Sequence, residues 1–174
     1  VIEIREAIPA DIPGIAAVVR DIWGQDILPD VCTAQIDRDT CALWVTAEGE
    51  DIAGFISAFL TLGRKGTRRW EIDLLAVRRA SQGQRLGQRL VEAACQDAEA
   101  LHIPVARAAV RVDNAASRKT FQNAGFTTDG EIHKLLLWTP AASNGPSIYG
   151  GGVTFVPVDT VTYRGLWLEG LTAE

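Results

Sequence analysis

Two carboxylates, Glu71 and Asp73, stand two residues apart in the run Trp70-Glu-Ile-Asp-Leu-Leu-Ala-Val77, and a turn holding Gly83 and Gly87 follows. A carboxylate takes a proton from an ammonium group, or holds that group as a cation. A strand that gives way to a glycine-bearing turn and a helix start leaves backbone N–H groups pointing at the positive end of the helix dipole. Such a spot suits an anion, usually a phosphate. Gln82, Gly83, Gln84, Arg85, Leu86, Gly87 and Gln88 are the candidate cradle, with Gly83 and Gly87 letting the main chain come close. Arg85 is either a defect in that cradle or a charge aimed at the phosphate.

The elements that must position these groups follow from periodicity. Alternation over Ile2–Ala7 reads as a strand, and apolar residues from Ile12 to Trp23 recur at helical spacing behind Asp11 and Pro13. Pro29 opens a short second helix to about Arg38. The runs Cys41–Ala47 and Ile52–Leu62, joined at Gly49, read as an antiparallel hairpin. A strict period of two in Trp70–Val77 places Glu71, Asp73, Leu75 and Val77 on one face and Trp70, Ile72, Leu74 and Ala76 on the other. The alternative is an edge strand with both acids in solvent. Leu86, Leu90, Ala94, Ala98 and Leu101 form the stripe of an amphipathic helix, and Ile103–Val112 is the next strand, completing a βαβ unit. Asp113 or Asn114 caps a further helix that Gly125 ends. A strand runs from Phe126 to Trp138, a loop from Thr139 to Gly152, and closing strands from Val153 to Leu168. The fold class is α/β, or α+β, with a mixed sheet.

At 174 residues, 47% hydrophobic and 22% charged, the chain fits one globular domain over residues 1–174. No apolar run reaches the ~18 residues of a bilayer span, and the N-terminus lacks a signal pattern, so a cytoplasmic protein is expected. Cys32, Cys41 and Cys95 have no C-x-x-C spacing, which argues against a disulfide framework or a metal site. A net charge of −5 argues against nucleic acid. The acids Asp21, Asp26 and Asp30 read as solvated loop charge. Arg64, Lys65 and Arg68 belong to an exposed loop that can also touch an anionic substrate.

Gln82-Gly-Gln-Arg-Leu-Gly87 resembles the Gln/Arg-x-x-Gly-x-Gly/Ala signature of the GNAT superfamily of acyl-CoA-dependent N-acyltransferases, with Arg85 at the middle glycine. Asn114-Ala-Ala-Ser117-Arg-Lys-Thr-Phe121-Gln-Asn-Ala-Gly125-Phe126 resembles the family's Asn-to-Gly-Phe block, with Phe121 where tyrosine is usual. The two blocks in order, across a helix and a strand, carry the resemblance over about residues 1 to 138.

The resemblance implies a central mixed sheet of six to seven strands with about four helices, and acetyl-CoA as acyl donor. It implies that the turn seats the pyrophosphate, and that main chain at Leu75, Ala76 and Val77 pairs with the pantetheine arm. Asn114, Ser117 and Phe121 would lie along that arm, Asn114 equally as a helix cap. Glu71 falls where some members carry the base, which leaves Asp73 to bind the acceptor amine. For Asp21, Asp26 and Asp30 the resemblance implies a border of the acceptor pocket, where they would attract an ammonium. Phe121 cannot protonate the departing thiolate; Tyr149, Tyr163 or water are the substitutes. The expected activity is N-acetylation of a primary amine on a small molecule or peptide. A coenzyme A-binding regulatory module with the same fold is the alternative. A homodimer is compatible with a late edge strand.

Overall fold

The computed structural model describes residues 2–24, 32, 35–36, 40–63 and 66–128. Within them lie five strands and three α-helices: β1 (Glu3–Glu6), α1 (Ile12–Trp23), β2 (Cys41–Glu48), β3 (Asp51–Leu62), β4 (Arg68–Val77), α2 (Leu86–Ala100), β5 (Val105–Ala108) and α3 (Ala115–Asn123). The strands expected beyond Phe126 fall outside the described residues, except that 126–128 are not strand, as does most of the helix expected after Pro29. Cys32, Gln35 and Ile36 are helical. No described helix is long and apolar enough to cross a membrane.

The sheet is mixed, in the order β1-β2-β3-β4-β5. The first four strands are antiparallel neighbours, and β5 runs parallel to β4, as the expected βαβ unit requires. Each face of the sheet carries its own core. On one, Ile15, Val18 and Val19 of α1 pack on Val45, Phe55 and Ala76. On the other, Leu90, Val91, Ala94 and Ala98 of α2 and Phe121 of α3 pack on Ile56, Trp70 and Ile72. These helical residues recur at three or four positions, which is why one stripe of each helix is buried. Burying a Leu side chain stabilises by roughly 1.5–3 kcal/mol, so these stripes hold the helices on the sheet.

The C-terminal end of α3 is fixed by a pair of hydrogen bonds. Phe126 N–H donates to the Phe121 carbonyl at 3.0 Å and Gly125 N–H to the Gln122 carbonyl at 3.1 Å, with Gly125 at φ +91°. This is the Schellman arrangement, and its usual apolar contact is present as the Phe121–Phe126 ring pair, 5.1 Å apart and edge to face. Phe121 is 7% exposed. Its ring therefore closes the helix end and fills the core.

The faces of β4 differ from the strict alternation expected. Leu74 pairs with Ser57 and Ile72 pairs with Ala58, so Asp73 is an extra residue with no partner of its own on β3. This bulge resets the phase. Trp70, Ile72, Leu75 and Val77 lie with the α2 core, while Leu74 and Ala76 lie with the α1 core. Glu71 and Asp73 thus do not share a regular strand face with Leu75 and Val77. A period of two fails here because the extra residue at Asp73 moves every residue after it to the opposite face.

Candidate functional site

The turn after β4 is tied at three points. Arg78 N–H donates to the Ala53 carbonyl at 2.8 Å, Arg79 N–H to Asp21 Oδ2 at 3.0 Å, and Gln82 Nε2 to the Val77 carbonyl at 3.0 Å. Asp21 is thereby engaged in fixing the turn to the end of α1. Asp26 and Asp30, like Arg64, Lys65, Tyr149 and Tyr163, lie outside the described residues. Arg68 donates to the Leu101 carbonyl at 3.0 Å.

Beyond Gln82 the chain makes a left-handed excursion at Gly83, φ +82°, and another at Arg85, φ +60°. Glycine adopts the first without steric penalty. An arginine in the second keeps the backbone shape a glycine would give, at a cost of about 1–2 kcal/mol. Its exposed side chain has no ion-pair or hydrogen-bond partner among the described residues. From Gly83 to Gln88, no backbone N–H has an acceptor among the described residues: the first bond reaching back belongs to Arg89 N–H, on the Arg85 carbonyl at 3.1 Å. The opening of α2 is therefore a nest of unsatisfied donors at the positive helix pole.

These donors border a cavity of about 530 Å³. Its floor is Leu75, Ala76 and Val77; one end is Gln82, Gly83, Arg85, Leu86, Gly87 and Gln88; one wall includes Asn114 and Ser117. So the three sequence segments converge on one place. Gln84 is exposed and Phe121 buried, and neither lines the cavity. Asn114 acts as the cap of α3, accepting from Ser117 N–H at 3.0 Å. At Gly87 α2 faces α3, where a Cβ would stand 3.4 Å from Thr120 Cγ2, an ordinary contact. Gln88 Nε2 joins the same helices through the Asn123 carbonyl at 3.3 Å.

Sequence reasoning missed part of the lining. Ala116, Thr120 and Asn123 join Ser117 on the cavity side of α3. Their spacing of three and four was a readable helical face. Ile22 and Trp23 also line the cavity, with Trp23 edge-on to Phe55 at 6.3 Å and 42% exposed. Only the packing of α1 brings them there.

Pairing of β4 with β5 covers Arg69 to Ile72 and stops at Ile72 opposite Ala108. From Asp73 to Val77 the β5 side of β4 has no strand partner among the described residues, which leaves an edge for an extended group to join.

The two carboxylates have different surroundings. Glu71 is 4% exposed. Its Oε2 accepts from Arg107 Nε at 3.1 Å, and its Oε1 accepts from the Thr61 hydroxyl at 3.1 Å and meets Arg107 Nη2 at 2.9 Å. Arg69 Nε lies 3.9 Å from Oε1. Asp73 is exposed at the bulge and has no such partner. Protein packed beside its carboxyl strips some of its water and raises its pKa above the ordinary value. Cys95 is a poor nucleophile, because burial first, and Glu99 and Glu92 next, push its thiol up to about 11.

Solved structures with the same fold include a transcriptional regulator from Bacillus halodurans C-125, at a TM-score of 0.68 and 21% identity, over 79% of this chain and 100% of that one. A glucosamine-6-phosphate N-acetyltransferase from Arabidopsis thaliana matches at 0.64 and 15% identity, over 78% and 98%. An aminoglycoside acetyltransferase from an uncultured soil metagenomic sample matches at 0.69 and 12% identity, over 80% and 97%. At these identities the likeness is one of fold. Among curated protein sequences none matches significantly. The model of the acetyltransferase (GNAT) family matches residues 14–126, which takes in α1, the hairpin, the β4 turn and α3. On that match, and on the two sequence blocks that meet in one cavity, the chain belongs to the GNAT acetyltransferase family.

Proposed function

We propose that the protein transfers an acetyl group from acetyl-CoA to a primary amine of a small molecule or peptide, by direct attack with both substrates bound. The observation that carries this reading is the run of unsatisfied N–H donors from Gly83 to Gln88 at one end of a cavity floored by Leu75 to Val77. A diphosphate satisfies those donors, and Arg85 supplies a positive charge beside it. An extended arm then lies along the unpaired edge of β4 toward Asp73, about 6–7 Å beyond Leu75. The donor's chemistry is an activated thioester. The residues' task is to hold it, to free the amine of its proton and to hydrogen-bond the carbonyl oxygen from a β4 main-chain N–H near Leu75.

For proton removal we assign Asp73 in place of Glu71, whose buried carboxylate is engaged in holding the sheet together. A carboxylate with a raised pKa that is open to solvent accepts a proton from an ammonium. Both oxygens of Glu71 already hold Arg107 and Thr61. Phe121 offers no acid, so the thiolate takes its proton from solvent; a thiol of pKa about 8.5 tolerates that.

The test is thiol release from acetyl-CoA across a panel of amino sugars, polyamines, amino acids and peptide N-termini, alongside donor-induced thermal stabilisation. Release with one acceptor class supports the transferase. Stabilisation without release on any acceptor supports the regulatory coenzyme A module, which the phenyl group at position 121 favours. No stabilisation at all removes the donor site.

A further inference from the structure

A second cavity, of about 520 Å³, shares no lining residue with the first. It sits where β1 ends. Glu6, the last residue of β1, pairs with Trp44, and β2 continues past it through Leu43 to Cys41. The last turn of α2 closes the other side with Asp97 and Ala100.

Charge at this corner is one-sided. Asp97 Oδ2 accepts from Trp44 Nε1 at 2.6 Å, yet its pKa is raised, first by burial and further by the neighbouring Glu6. Neither acid pairs with a cation among the described residues. The C-terminal pole of α2 adds negative potential, and its last turn holds no basic residue. Arg68, the cation at that helix end, is engaged by the Leu101 carbonyl. The wall also includes Trp70, 1% exposed, whose indole N–H has no hydrogen-bond partner among the described residues. Leu43 and Ile36 make part of the lining apolar. A hard metal ion needs several oxygen ligands, and no group of three or more candidate ligands exists among the described residues.

We infer that this cavity is a binding site for an organic ammonium ion with an apolar body, separate from the donor cavity at the opposite end of α2. The carboxylates of Glu6 and Asp97 hold the cation, and indole rings and aliphatic walls take the body.

The 174-residue chain titrated with n-butylammonium, without acetyl-CoA, tests this by calorimetry and by the NMR signals of the tryptophan indoles. Saturable binding with Kd of about 1 mM or tighter is expected. It should perturb the Trp44 and Trp70 indoles, weaken about fivefold or more in both Asp97→Asn and Glu6→Gln, and persist in Asp73→Asn. Glu6 is exposed, so its variant changes charge without disturbing the core. Affinity unchanged in Asp97→Asn and Glu6→Gln, loss in Asp73→Asn, or Kd weaker than about 10 mM in the parent protein would each overturn the inference.

Discussion

From Arg69 to Ile72, β4 is hemmed in: β3 pairs on one side, β5 on the other, and Glu71 lies buried between the guanidinium groups of Arg69 and Arg107. From Leu74 to Val77 the same strand keeps β3 but loses β5, and Leu75 to Val77 floor a cavity. Asp73, the bulge residue, stands at the boundary. A one-residue irregularity therefore separates a stretch whose charges serve the fold from a stretch whose backbone is left for a ligand. Two acids with similar chemistry and adjacent positions acquire different duties because one falls on each side of that boundary.

The sharpest break in this comparison is Glu71→Ala. It leaves buried guanidinium groups without their carboxylate, and a loss of about 3–5 kcal/mol is expected in denaturant unfolding. Asp73→Asn should do the converse, slowing thiol release by about 10²-fold or more while leaving the melting temperature the same or higher. The pH dependence follows from sign. Burial raises the pKa of Asp73, so the ionised base is lost as pH falls through a value above the ordinary carboxylate figure of about 3.9. The acid limb of the rate profile should lie there and vanish in Asp73→Asn.

Gly87→Asp should abolish donor-induced stabilisation, a loss of about 2.7 kcal/mol at a donor concentration of 100 Kd, by placing a side chain and a negative charge where anion and α3 both approach. A retained thermal shift would detach the β4 turn from donor binding. Arg85→Gly has the smallest effect. Relief of the positive φ should raise stability by about 0.5–1 kcal/mol, while acetyl-CoA affinity drops severalfold and becomes less salt-dependent. Unchanged affinity would leave Arg85 as strain alone.

Local signals in the chain were enough for several features. The β4 turn was legible because Gly83 and Gly87 stand between a strand run and the apolar stripe of a helix. Asn114 was legible as a cap, and Gly125 as a helix terminator, because capping depends on neighbours within a few residues. The hairpin of β2 and β3 followed from two β-rich runs around Gly49. The faces of β4 were not legible. Whether Asp73 bulges depends on the registers of β3, on one side, and β5, on the other, which come from distant parts of the chain. Phe121 read as a residue along the ligand, yet its ring is held by Phe126 in the core.

What the sequence alone determined was the order of the described elements and their extent to within a few residues, with the Asn114 cap and the Gly125 stop, since these rest on short-range periodicity and turn chemistry. The tertiary structure decided which carboxylate is open to solvent, that Trp23 reaches the cavity beside the β4 turn, and that Glu6 and Asp97 share a second one. Those facts depend on contacts between residues far apart in the chain. Burial and charge pairing, which set a side chain's chemistry, exist only once such contacts form.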